Sequence, residues 1–87
     1  MIVRTVEIRN HIGLHAHPSY LLSMEAGKFK SDISIRYQEK TADAKKSISI
    51  LALGVNAGEQ IELCVSGEDE EEAAEGVLDV LKHMGNA

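Results

Sequence analysis

The stretch Gln60-Ile-Glu-Leu-Cys-Val-Ser66, continued through Gly67-Glu-Asp69 into Glu70-Glu-Glu-Ala-Ala-Glu-Gly-Val-Leu-Asp-Val-Leu-Lys-His-Met84, changes its apolar period partway along. In its first part Ile61, Leu63 and Val65 alternate with Glu62 and Ser66, the period of two that marks a strand with one buried face. From Asp69 onward Ala73, Val77, Leu81 and Met84, joined by Ala74 and Val80, recur every three or four residues as a wide helical stripe. Asp69 and Glu72 have the spacing of a capping box, acid fills the first turn, and Lys82 and His83 stand in the last, as the helix dipole favours. A half-buried strand running directly into an amphipathic helix points to an α+β fold.

The same two periods organise the rest of the chain. Asp32 to Tyr37 places Ile33, Ile35 and Tyr37 on one face and Ser34 and Arg36 on the other. Ile2 to Ile8 reads as a first strand, and the polar stretch Gln38 to Lys40 turns the chain into a brief strand near Thr41 to Ala44. Ala16 to Ala26 reads as a helix with Leu21, Leu22 and Ala26 on one stripe and Gly27 as a left-handed cap. Pro18, the only proline, falls in its first turn, where a missing N–H costs no hydrogen bond. A short helix runs from about Ser47 to Leu53 and stops at Gly54. The order is βαββαβα in one domain, 1–87. Strands with one apolar face need cover on that face only, so the expectation is an α+β open-faced β-sandwich: a four-stranded antiparallel sheet with three helices on one face.

Composition excludes several classes. The net charge of −5 and a total of three aromatic residues, Tyr20, Phe29 and Tyr37, leave neither the positive surface nor the stacking platform of a nucleic-acid binder. The longest apolar run, Ile48 to Val55, is broken by Ser49 and Gly54 and falls far short of the ~20 residues that cross a bilayer, so no membrane insertion is expected. Arg4, Glu7 and Arg9 interrupt any signal-peptide core, and the single cysteine, Cys64, rules out a disulfide scaffold. A cytoplasmic location is expected. Seven acidic residues fall between Glu59 and Glu72, whereas Lys28, Lys30, Lys40, Lys45 and Lys46 lie nearer the middle. One end of the domain is therefore less negative and more open to an anion or an acidic partner.

The segment with chemistry in it is Gly13-Leu14-His15-Ala16-His17-Pro18. It joins the first strand to the first helix and puts His15 at or beside the N-cap. Backbone N–H groups there have no intrahelical partner and point outward with the positive end of the dipole, a ready anion site. A neutral histidine beside such a helix end is what a transient phosphohistidine requires. A surface histidine in a tight loop is the plainer alternative.

The segment resembles the active-site signature of the HPr family, the histidine-containing phosphocarriers of the bacterial phosphoenolpyruvate:sugar phosphotransferase system. The family pattern is Gly-Leu-His-Ala-Arg-Pro, and five of its six residues stand here in register. The resemblance continues without gaps over nearly the whole chain, through Gly54 and Gly58 and through Gly67-Glu68-Asp69 before the last helix, and the element order is the family's. It implies that His15 accepts a phosphoryl group on Nδ1 from phosphoenolpyruvate-charged enzyme I and passes it to IIA proteins. The amides of Ala16 and His17 would hold the phosphoryl oxygens. Such a protein is a carrier and not an enzyme, needs no metal or cofactor, and is expected to be a monomer.

Position 17 departs from the pattern. Arginine carries a permanent charge and grips phosphate through two parallel N–H bonds, which a histidine cannot do. The expectation is a carrier that works but depends more on pH, with Lys45 and Lys46 as candidates to supply the missing charge. The departure also suits two rivals: a regulatory HPr-like paralogue of a nitrogen-type or kinase-linked branch, and a non-carrier metal- or protein-binding module. For a metal, His15 and His17, even with His11, form a poor set, because positions two apart on a helix point ~200° apart.

The resemblance implies two further features. In some bacteria a dedicated HPr kinase phosphorylates a serine that opens the short second helix; that position aligns with Lys46, and a one-residue slip brings Ser47 to it. Ser47 otherwise reads as a plain N-cap. Tyr20 and Met24 on the first helix, with Ile48 and Leu51 on the second, are expected to form an exposed, Met-containing patch that docks partner proteins. Ile50, Leu53 and Val55 read as core, Cys64 as inert, His83 as a helix C-terminal cation and His11 as a loop residue.

Overall fold

Strand pairing follows the apolar alternation row by row. The structure, a computed structural model, describes residues 1–9 and 13–84. Its elements are β1 (Ile2–Glu7), α1 (Ala16–Ala26), β2 (Asp32–Tyr37), β3 (Lys40–Asp43), α2 (Ser47–Leu51), β4 (Gln60–Ser66) and α3 (Glu70–Met84). The four strands form one sheet in the order β1-β4-β2-β3, every neighbouring pair antiparallel. Across the sheet the register sets Val65 between Ile2 and Ile33, and Ile35 between Leu63 and Ala42, with Arg4 on the outer side of Leu63. A slip of one residue would turn each of these rows to solvent. The opposite face carries Thr5, Glu62, Arg36 and Thr41 in one row and Val3, Cys64, Ser34 and Asp43 in the next.

Two crossovers skip a strand, β1-α1-β2 and β3-α2-β4. They run in opposite directions along antiparallel strands, so connections of the usual right-handed kind bring both helices to the same face. There α1 packs on α2 and α3, and α3 on β4 and β1. The result is the expected α+β open-faced sandwich. Leu14, Leu22, Ile35, Ile50, Ile61 and Leu63 are fully buried between the layers, each contributing about 1.5–3 kcal/mol from removal of apolar surface from water. Ile50, Leu53 and Val55 belong to this core, as expected. Cys64 is a buried free thiol on the central strand. His83 sits on the last turn of α3 with Nδ1 2.8 Å from the Asp79 carbonyl. No described helix is long and apolar enough to cross a membrane.

Several local expectations are corrected. Gly27 caps α1 at φ −65°, a right-handed conformation, because its N–H and that of Lys28 bond back to Ser23 and Glu25 and extend the helical turn. Leu21 is not on the buried stripe but 38% exposed, since the packed face of α1 is Pro18, Ser19, Leu22 and Ala26. The N-cap of α2 is Lys46, with Ser47 the first helical residue, so Ser47 is not the cap. The hydroxyl that works at this helix is that of Ser49, which accepts the Asp43 N–H at 3.0 Å. His11 and the side chain of Met84 lie outside the described residues.

The capping box at α3 is also replaced. The Asp69 carbonyl accepts the Ala73 N–H, as an N-cap carbonyl should. Its carboxylate, however, turns away from the helix and accepts the Lys30 N–H (2.9 Å), the Ser31 N–H (2.9 Å) and the Ser31 hydroxyl (2.5 Å). Gly67 makes this possible: at φ +153°, a Cβ there would stand 2.6 Å from the Ser31 hydroxyl and 2.7 Å from its Cα. The contact staples the start of α3 to the entrance of β2. The Ser31 hydroxyl, followed by the Lys30 and Ser31 amides, holds the Asp69 carboxyl down at about 2. A carboxyl whose folded value is depressed stabilises the fold above its ordinary pKa and loses that contribution as pH falls toward the folded value. We therefore expect Asp69→Asn to melt below the wild type at pH 7, and the gap to close between about pH 4 and pH 2. Melting temperatures of both proteins across that range test this; a gap constant with pH would refute it.

Candidate functional site

Three backbone contacts hold the loop before α1. Leu14 is buried in the core, and its N–H donates to the Val55 carbonyl at 2.9 Å. Gly13 stands at φ +75°, and a Cβ there would lie 2.3 Å from the Val55 oxygen and 2.8 Å from the Asn56 Cα. The loop is thus pressed flat on the segment that leaves α2. Behind it the buried Ser19 hydroxyl donates to the Leu14 carbonyl at 3.1 Å.

These contacts place His15 as the N-cap of α1, in extended conformation (φ −84°, ψ −165°) and making no side-chain cap bond. Its carbonyl accepts the Ser19 N–H at 3.0 Å, closing the first helical turn. Two amides then precede the first bonded one and have no acceptor among the described residues, those of Ala16 and His17. The third position is Pro18, which has no N–H to offer. The helix end therefore presents two donors beside an exposed imidazole, and Ala16 and His17 are exposed as well. This is the geometry for binding an anion next to a nucleophilic ring nitrogen.

The missing positive charge is not supplied by Lys45. Its ammonium donates to the Phe29 carbonyl at 2.8 Å, which commits it to the loop beyond the C-terminus of α1, the opposite end of that helix from His15. Lys46 caps α2 by its backbone and has an exposed side chain. Among the described residues no group of three or more His, Cys, Asp and Glu side chains is arranged to hold a metal ion.

Around this end lies exposed apolar surface. Tyr20 and Met24 are each 53% exposed, Ile48 80% and Leu51 42%. His17, Tyr20, Leu21 and Met24 follow the spacing of a single helix face, one turn apart on α1. Leu21 thus joins the outward stripe. Sequence reasoning placed both Leu21 and Leu22 on the buried stripe, although adjacent helical positions lie ~100° apart and only Leu22 is buried. Residues 17, 20, 21 and 24 were the signal. α1 packs on α2, and the chain leaving α2 seats the His15 loop through the Leu14 bond to Val55.

Comparison with known proteins gives the family and the fold. The family described as PTS HPr component phosphorylation site matches residues 2–83. The HPr-like protein Crh of Bacillus subtilis is 37% identical over 75 residues, 86% of this chain and 88% of Crh. The phosphocarrier protein HPr of Lysinibacillus sphaericus is 38% identical over 76 residues, 87% of this chain and 86% of that protein. A crystal structure of HPr from Thermoanaerobacter tengcongensis superimposes with a TM-score of 0.94 at 37% identity, covering 100% of this chain and 98% of that one. Dimers occur among the solved relatives. With a family match over residues 2–83, relatives 37–38% identical over most of their length and a near-complete superposition, the chain belongs to the HPr family of phosphotransferase-system phosphocarriers.

Proposed function

We propose that this chain carries a phosphoryl group on His15, taking it from phosphoenolpyruvate-charged enzyme I and handing it to IIA proteins, as a cytoplasmic monomer of one domain. The observation that carries the reading is His15 as an N-cap with no side-chain cap bond, directly before the amides of Ala16 and His17, which have no acceptor among the described residues. The Nδ1 lone pair attacks phosphorus, and the new N–P bond forms as the donor's bond to phosphorus breaks. In the second transfer that N–P bond breaks in turn as the acceptor attacks. The two amides hold the phosphoryl oxygens throughout, and the positive end of α1 offsets their charge. Binding geometry accounts for the step with no cofactor. Tyr20, Met24, Ile48 and Leu51 supply the docking surface for successive partners, whose weak binding lets each leave after transfer.

The test is incubation with enzyme I and phosphoenolpyruvate, followed by intact mass. The expected result is a gain of one acid-labile phosphoryl group. No gain on the folded protein with several enzymes I would refute the reading, and sedimentation tests the monomer.

At position 17 an imidazole offers phosphate a single N–H at a time, whereas a guanidinium is permanently charged and grips two oxygens through parallel N–H bonds. Exchanging a neutral donor for a charged, forked one is worth about 1 kcal/mol. His17→Arg is therefore expected to raise phosphoryl acceptance about fivefold at pH 8. Equal rates for both proteins at pH 8 would sink this account.

A second reading draws on the likeness to Crh: a regulatory, kinase-linked role through Ser47, the first residue of α2. Phosphate there would meet a helix N-terminus, where negative charge is favoured. An HPr kinase with ATP would then add an acid-stable phosphoryl group, absent in Ser47→Ala, while the enzyme I product stays acid-labile.

A further inference from the structure

The segment against which the His15 loop is pressed is itself held from behind. The Glu59 carboxylate reaches back three residues and accepts the Asn56 N–H on Oε1 at 2.8 Å. Its other oxygen, Oε2, accepts the hydroxyl of Tyr37, a side chain 8% exposed at the end of β2. Gln38, at φ +57° in the two-residue turn between β2 and β3, aims its amide at that same hydroxyl at 3.3 Å. The Glu59 N–H donates to the Asn56 carbonyl, which closes the turn from 56 to 59 by backbone as well. On its other side this turn carries the Val55 carbonyl that accepts Leu14 N–H, and the Asn56 backbone that leaves no room for a Cβ on Gly13. One carboxylate thus connects the sheet hairpin to the seat of the phosphoryl-accepting loop.

We infer that Glu59, held by Tyr37, is a positioning residue for phosphoryl transfer: it sets the place of the Asn56 turn and thereby the place of His15 and of the Ala16 and His17 amides. This rests on the reading of His15 as the acceptor. The clamp touches none of the exposed docking residues, so its effect falls on the chemical step and not on partner binding. A displacement of the order of 1 Å in a transfer site costs up to about a hundredfold in rate. Part of that is expected here, because the turn keeps its own backbone bond. The Tyr37 hydroxyl bond and then the Asn56 amide keep the Glu59 carboxyl below its ordinary range, so the acceptor stays charged at neutral pH.

The experiment compares wild type, Glu59→Ala, Glu59→Gln and Val77→Ala as phosphoryl acceptors from enzyme I, with melting temperatures for each. Val77 lies buried in α3 and outside the clamp, so its truncation lowers stability without reaching the turn. Glutamine keeps a carbonyl oxygen for the Asn56 N–H. The expected result is a kcat about tenfold lower in Glu59→Ala with KM for this protein unchanged, near-native kcat in Glu59→Gln, and native kcat in Val77→Ala despite its lower melting temperature. Native kcat in Glu59→Ala overturns the inference. So does a loss of equal size in Val77→Ala, which leaves every bond of the clamp in place, or in Glu59→Gln, whose carbonyl still accepts the Asn56 N–H and whose amide can donate to the Tyr37 oxygen. Should the wild type itself accept no phosphoryl group, the carrier reading falls and this inference falls with it, an outcome distinct from the others.

Discussion

His15→Ala is expected to accept no phosphoryl group from enzyme I while melting within a degree or two of the wild type. The two halves have separate causes. His15 caps α1 through its backbone alone: the carbonyl bonds the Ser19 N–H, and the imidazole makes no cap bond and is exposed. Alanine retains that carbonyl and removes only solvated atoms, and surface changes of this kind stay within about 0.5 kcal/mol. The nucleophile, in contrast, is lost entirely, and no amide or proline in the segment can replace a ring nitrogen. Intact mass after incubation with enzyme I and phosphoenolpyruvate reads the first half, and thermal melting the second. Phosphoryl gain persisting in His15→Ala would transfer the role of acceptor to another histidine, His17 first, and overturn the assignment.

Gly13→Ala is expected to do the opposite, damaging the fold and the site together. Two costs add. A left-handed conformation, φ +75° here, costs an alanine about 1–2 kcal/mol. The added Cβ would also meet the Val55 oxygen at 2.3 Å and two Asn56 backbone atoms at 2.8 and 2.9 Å, all backbone and none free to swing aside. Overpacking of this kind costs about 1–3 kcal/mol more. A total of about 2–5 kcal/mol is a large share of the stability of a small domain. The loop escapes part of it by lifting off its seat, which breaks the Leu14 N–H bond to Val55 and displaces His15. Chemical denaturation and phosphoryl acceptance measured on the same sample test both consequences. A variant of native stability would show that the loop is not pressed on Val55 and Asn56 as described.

How far the sequence reaches can be judged element by element. Strands β2 and β4 and helix α3 were legible because one buried face imposes a period, and that period survives in the residues whatever the partner element is. The histidine segment was legible for a similar reason. A helix start needs its local features, a flexible Gly13, an N-cap and an early proline, within six consecutive positions. The single departure at position 17 is likewise visible without coordinates.

What sequence could not decide are the places where two distant segments compete for one group. Asp69 and Glu72 have capping-box spacing, yet the Asp69 carboxylate leaves its helix for Ser31, 38 positions earlier, since three donors there outbid one amide. Gly27 has the composition of a left-handed cap but continues right-handed, because its N–H and that of Lys28 extend the helical bonding past Ala26. Ser47 looked like the cap of α2, and one residue's shift in the chain's path hands that place to Lys46. Lys45 read as a free charge until the Phe29 carbonyl was found to hold it. Glu59 and Tyr37 carry no local signal at all, being 22 positions apart. Periodicity and the local grammar of a helix start act along the chain and are written in it. Which donor meets which acceptor across the chain depends on where the sheet register and the two crossovers bring them, and only the tertiary structure sets that.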